Sequence, residues 1–266
     1  MQYNYRDNVK GDILSSWIPN KKNYDVYCFA LQNCKDVSEE EVSLLKEFFS
    51  TSHRWNEKYI LVANESLRTW NILRPRPRIV IIARASVTIT DLVHSSKILD
   101  QGSNKGGIGV EFRMDGQHYC VVCAHFTSKV QKIKEREQDF SAIYSKIIDD
   151  NYLRRSSRRE KGFTFDHIIF MGDLNYRVQL PGHEEESEVQ FEEACGLILE
   201  QDWGSLIAAD QLRQQLQSNP RLFPGFTEIE HRWPPTSCMD RRRNGYVPKM
   251  SGGKPSYEVG NALFIP

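Results

Sequence analysis

"HIIFMGDLNYR", residues 167–177, reads as a buried strand that stops on a carboxylate. Ile168, Ile169 and Phe170 form an apolar run far too short to cross a membrane. Gly172 and Asp173 then break it. A turn would account for Gly-Asp alone, but not for Asp173 and Asn175 alternating with Leu174, nor for Arg177 two residues further on. Two polar side chains and a cation at the mouth of a strand suit a site for something anionic.

Elements on either side of this strand alternate. "DVYCFAL" (25–31) has the look of a buried strand, and "SEEEVSLLKEFF" (38–49) follows as a helix with Ser38 as N-cap and Glu41 completing a capping box. "KYILVA" (58–63) and "RIVIIAR" (78–84) are strands separated by a turn at Pro75 and Pro77. "GIGVEFRM" and "HYCVVCAHF" flank Asp115-Gly116, a strong hairpin signal. Residues 131–150 put Ile133, Phe140, Ile143 and Ile147 on one helical stripe, and two polar helices are predicted at 186–200 and 203–218, ending at Asn219-Pro220. Hairpins mixed with helical crossovers predict a layered α/β sandwich rather than a barrel.

Composition narrows the function classes. A chain of 266 residues suits one large α/β domain with a substantial core. Its 35 basic and 35 acidic residues cancel, so no whole-molecule field draws in a polyanion, and nucleic acid is not an expected partner. No signal-peptide pattern opens the sequence and its apolar runs are strand-sized, which together predict a cytoplasmic protein. The six cysteines read as reduced packing thiols rather than a zinc site. The one low-complexity basic segment, "RRSSRREKG" (154–162), and Arg241–Arg243 read either as solvated loops or as a peripheral contact with anionic membrane.

Two further stretches point the same way as the first. In "GSNKGGIGVEF" (102–112), Gly102, Gly106 and Gly107 surround Asn104 and Lys105, a loop whose amides and point charge suit phosphate, although a Gly-rich loop alone is more often a plain hairpin. In "CAHFTS", His125 ends an apolar strand, where a lone histidine is more often structural than catalytic. Three separate strands ending in anion-compatible residues shift those odds, because open α/β sheets bind ligands at strand ends.

In order and spacing, "SNKGGIGVEF", "CAHFTS…REQDF", "FMGDLNYRV" and "ADQLRQQL…FPGFTEIEHRWPPT" resemble the inositol polyphosphate 5-phosphatase family, from about Tyr3 to Thr236. The resemblance implies a deoxyribonuclease-I-like four-layer α/β sandwich, two packed mixed sheets between helices. It also implies magnesium-dependent removal of the 5-phosphate from inositol polyphosphates and phosphoinositides. Carried over residue by residue, Asp173 and Asn175 hold the attacking water, and His125 hydrogen-bonds the phosphoryl oxygens. Lys105 and Arg177, with Asn104, grip phosphates, the two cations as a divided clamp facing one pocket. Asn4 matches the family's asparagine near the metal.

Four departures fall in the site. The family's metal-binding glutamate is Asn33, a neutral and poorer ligand for a hard dication. Cys123 stands for the asparagine two residues before the histidine, and Ser237-Cys238 replace a Tyr-Lys pair in the substrate segment. The sequence also stops at Pro266, before the family's Trp-Cys-Asp-Arg and Ser-Asp-His motifs and the strands that carry them. A fragment of a longer domain accounts for the missing end, and this chain is then inactive or impaired as it stands. Truncation does not account for Asn33 and Cys123, which keep open a degenerate module that binds phosphoinositide without cleaving it.

Overall fold

The computed structural model describes residues 2–4, 18, 23–34, 40–51, 57–69, 75–100, 103–149 and 165–228, with short strands between 239 and 256. They divide into two compact units, Met1–His125 with Asp139–Asp173, and Phe126–Gln138 with Leu174–Pro266.

The first unit holds two four-stranded mixed sheets. One has the order β1 (Gln2–Asn4), β2 (Val26–Cys34), β4 (Arg76–Arg84), β3 (Tyr59–Ser66), with β1 parallel to β2 and the rest antiparallel. The other has the order β5 (Ile89–Ile98), β6 (Gly106–Met114), β7 (Gln117–His125), β8 (His167–Asp173), where only β7 and β8 run parallel. Side chains alternate across a strand, so the continuous run Ile79–Ala83 feeds both faces of its sheet. Ile79 and Ile81 point inward and meet Ile108, Val110, Phe112, Val121, Cys123 and Met171 of the second sheet. Val80 and Ile82 point outward, with Tyr27 and Phe29, onto Val42, Leu45 and Phe49 of helix α1 (Glu40–Thr51).

The opposite outer layer is helix α2 (Ile133–Tyr144) and the wider π turn Ser145–Asp149 that continues it. Its fit depends on two glycines of β6. A Cβ on Gly107 would come within 2.6 Å of Ile143, and one on Gly109 within 2.2 Å of Ile147. Phe140 packs on Phe170 of β8 with ring centroids 5.3 Å apart. Helix, sheet, sheet and helix make the four-layer sandwich that the sequence predicts.

Several local expectations change. Strand β5, "ITDLVHSSKI", escapes a reading based on apolar alternation because it is an exposed edge, with Leu92 49% and Val93 40% accessible. Pro77 lies inside β4 rather than in a turn; Arg78 pairs with Ser66, the last residue of β3, so the missing N–H falls where that ladder ends. The helix predicted at 203–218 is two, α4 (Trp203–Ala208) and α5 (Gln211–Ser218), because Asp210 turns out of the helix and caps Arg213 N at 3.0 Å. Helix α3 (Glu188–Leu199) starts where Ser187 accepts from Gln190 N at 3.2 Å. Cys120 and Cys123 have a C-x-x-C spacing, but three residues along a strand put them on opposite faces, both buried, as packing thiols. The Ser38–Glu41 capping box, the basic loop at 154–162 and Arg241–Arg243 lie outside the described side chains.

The second unit packs Val178, Leu180, Phe191, Ala194, Leu206 and Ala209 into a small apolar cluster.

Candidate active site

Three neighbouring strands of the second sheet bring the predicted polar residues of the first unit together. Pairing sets Gly106 against His125 and His125 against Asp173, so the start of β6 and the ends of β7 and β8 lie side by side. Gly172 makes the close approach possible, at φ 133°, since a Cβ there would meet Ala124 O at 2.0 Å. Lys105 Nζ lies 2.6 Å from His125 Nε2, and the same nitrogen is 3.6 Å from Asp173 Oδ2. His125 is 5% exposed, whereas the Asp173 side chain keeps 21% of its surface. With an ammonium donating to Nε2, the imidazole is neutral and carries its proton on Nδ1.

The first sheet contributes the end of β2. Between the pairs Leu31–Arg78 and Cys34–Arg76, Gln32 and Asn33 stand against Pro77 alone, a β-bulge. Asn33 takes the left-handed conformation there, φ 57°, which asparagine tolerates better than other non-glycine residues. Its Oδ1 accepts from Asn104 Nδ2 at 3.1 Å. Gln32, fully buried, ties the two sheets by donating to Ala124 O at 3.2 Å and to Cys123 Sγ at 3.4 Å. Cys123 thus occupies the family's asparagine position as a buried thiol, its pKa pushed up to about 12, mainly by burial. Parallel pairing sets Asn4 of β1 beside Gln32.

These residues do not fit a hard dication at the position the resemblance implies. Such an ion favours several charged oxygens. Asp173 supplies one, Asn33 is neutral with its carbonyl oxygen engaged by Asn104, and the buried Gln32 Oε1 is a neutral amide oxygen without a hydrogen-bond partner among the described residues. No three His, Cys, Asp or Glu side chains converge as a metal site among the described residues.

Asn175 and Arg177 belong to the second unit and are locked there. Asn175 is left-handed, φ 56°, and 7% exposed. Its Nδ2 donates to Phe126 O at 2.9 Å while its Oδ1 accepts from Arg177 Nη2 at 2.9 Å. Arg177 is 4% exposed, and its Nε lies 3.7 Å from Glu186 Oε1. The guanidinium therefore fixes which way the Asn175 amide points.

Arg136 and Gln211 are buried neighbours of Asn175–Arg177 that sequence reasoning missed. Arg136 is fully buried, donates to Lys129 O, Val130 O and Gln211 Oε1, and lies 4.8 Å from the centre of the Tyr176 ring. Gln211 in turn accepts from Arg177 N at 3.2 Å and donates to Val130 O at 3.0 Å. The two side chains brace Asn175–Arg177 from behind. A signal existed: Arg136 interrupts the apolar stripe of α2 between Ile133 and Phe140.

The sequence pattern of the endonuclease/exonuclease/phosphatase family 2 matches residues 1–257. The chain belongs to this family. Among family relatives, human synaptojanin-1 is 29% identical over 194 residues, 72% of this chain and 11% of the relative. Mouse phosphatidylinositol 3,4,5-trisphosphate 5-phosphatase 1 is 30% identical over 228 residues, 82% of this chain and 17% of the relative. The chain thus spans between a tenth and a fifth of the length of these relatives. Among solved structures, the inositol polyphosphate 5-phosphatase domain of SpSynaptojanin, in complex with inositol (1,4)-bisphosphate and calcium, superposes with a TM-score of 0.75 at 20% identity, over 99% of this chain and 74% of that one. A Cimex nitrophorin, solved as a ferrous NO complex, superposes with a TM-score of 0.64 at 17% identity, over 99% of this chain and 84% of that one. One fold carries both, so function must be argued from side chains.

Proposed function

We propose that this chain is an inositol polyphosphate 5-phosphatase domain, a phosphomonoester hydrolase directed at the 5-phosphate of inositol polyphosphates or phosphoinositides, with its own turnover impaired. The observation that carries it is the row Lys105, His125, Asp173 on adjoining strand ends. Phosphoryl transfer asks a protein mainly for positioning and charge stabilisation. Lys105 offsets phosphate charge as a compact cation and, until phosphate binds, holds His125 in one tautomer. Because Nδ1 is buried, His125 meets the phosphoryl oxygens through Nε2, protonated once the phosphate has drawn the Lys105 ammonium to itself. Asp173, more exposed than His125, orients a water and takes its proton. Magnesium is the cation the resemblance implies, and Asn33 puts a neutral amide where a carboxylate would hold it.

A second reading, phosphoinositide capture without turnover, draws on the Asn33–Asn104 amide pair standing where the family has a carboxylate. Membrane attachment through the basic loop and a cytoplasmic location belong to the same proposal. Titration with inositol 1,4,5-trisphosphate and inositol 1,4-bisphosphate, paired with phosphate release, tests it. The trisphosphate should bind the tighter of the two, Asp173→Asn should abolish any release, and Asn33→Glu should raise release in magnesium. Absence of both binding and release in the natural chain and in Asn33→Glu contradicts the proposal.

A further inference from the structure

We infer that Lys105 supplies the positive charge of this site in place of a divalent metal, so that the chain holds a phosphate monoester dianion without magnesium. The inference rests on the phosphate-site reading above and goes beyond it. Among the described residues that form the row and the end of β2, the formal charges are one cation, Lys105, and one anion, Asp173. Gln32, Asn33 and Asn104 carry no charge, and the Lys105 ammonium 2.6 Å from Nε2 disfavours a second positive charge on His125.

A dication entering beside Asp173 would meet the Lys105 ammonium in the same row, and the carboxylate that offsets such repulsion in the family is here the neutral Asn33. It would also have to displace Asn104 from the Asn33 carbonyl to gain even a neutral oxygen. The backbone opposes a simple reorganisation. Asn33 sits in a bulge at φ 57°, which fixes its direction, and Gln32 beside it is tied across to Cys123 and Ala124. A phosphate dianion has the opposite relation to Lys105 and Asn104, and only Asp173 repels it. It gains the Lys105 charge, can accept from the Asn104 amide, and brings its own negative charge to a row whose carboxylate already has a cation close by.

The test is the affinity of the full chain for inositol 1,4,5-trisphosphate in EDTA and in millimolar magnesium, at matched ionic strength. The two dissociation constants should agree within about twofold. Lys105→Ala should weaken binding about tenfold or more in both conditions, without rescue by magnesium, and Lys105→Arg should keep most of the affinity. Asn33→Glu should make binding magnesium-dependent. Circular dichroism and thermal melts of each variant separate loss of binding from loss of fold. A tenfold or greater loss of affinity in EDTA for the natural chain, or rescue of Lys105→Ala by magnesium, overturns the inference while leaving the phosphate site standing. No binding in either condition overturns the site itself.

Discussion

Asn33 shows how one residue can be legible in kind and illegible in role. Its identity announces a lost carboxylate, but the left-handed bulge and the bond to Asn104 depend on contacts 71 residues apart. Restoring glutamate there has a conformational cost, because a longer side chain in the left-handed region loses about 1 kcal/mol relative to asparagine or glycine. Asn33→Glu should therefore lower the unfolding free energy by about that amount through the backbone, and Asn33→Gly by about 0.5–1.5 kcal/mol through loss of the bond to Asn104, as urea titration would show. Arg177 teaches a related lesson. The "NYR" spelling suggests a phosphate fork, and the structure uses the fork on Asn175 and Glu186. Arg177→Ala takes a buried cationic donor from both and should cost about 1–3 kcal/mol of stability. Lys105→Ala should change the melting temperature far less, and equal shifts in the two variants would contradict this division of labour.

At the scale of elements, the strongest sequence patterns became the best-placed structures. The Asp115-Gly116 hairpin, the run Ile79–Ala83 and the stripe Phe140, Ile143, Ile147 all lie where their periodicity puts them. Strand β5 was invisible because an edge strand needs no apolar alternation. The glycines of "NKGGIG" read as an anion cradle, yet Gly107 and Gly109 serve helix packing. Gly109→Val should accordingly cost about 1–3 kcal/mol through overpacking against Ile147, readable as a fall in urea midpoint. In the second unit, the Glu228 carboxyl is pushed up to about 7 by burial and by the Asp210 carboxylate, against Arg213. A raised carboxyl stabilises the fold fully below its unfolded value of 4.5 and loses that contribution as pH rises through 7. Glu228→Gln should flatten the fall in stability between those two pH values; an unchanged pH profile would remove Glu228 as its source.

For the molecule as a whole, the sequence disclosed the layered sandwich and three of its polar strand ends, since both follow from local pattern. It could not disclose the braces, Arg136 and Gln211, because their partners come from segments 75 residues apart. Nor could it show that Lys105 Nζ reaches His125 Nε2, a contact set by the register of β6 on β7. The central claim is that this row receives a phosphorylated inositol ring. Backbone amide chemical shifts of the labelled chain, followed by NMR during titration with inositol 1,4,5-trisphosphate, test it most directly. Saturable shifts should concentrate at 103–106, 124–126 and 172–173. Shifts confined to other surfaces, such as the cleft lined by Glu65, Arg68, His94 and Ser96, with those three segments unmoved, would contradict it.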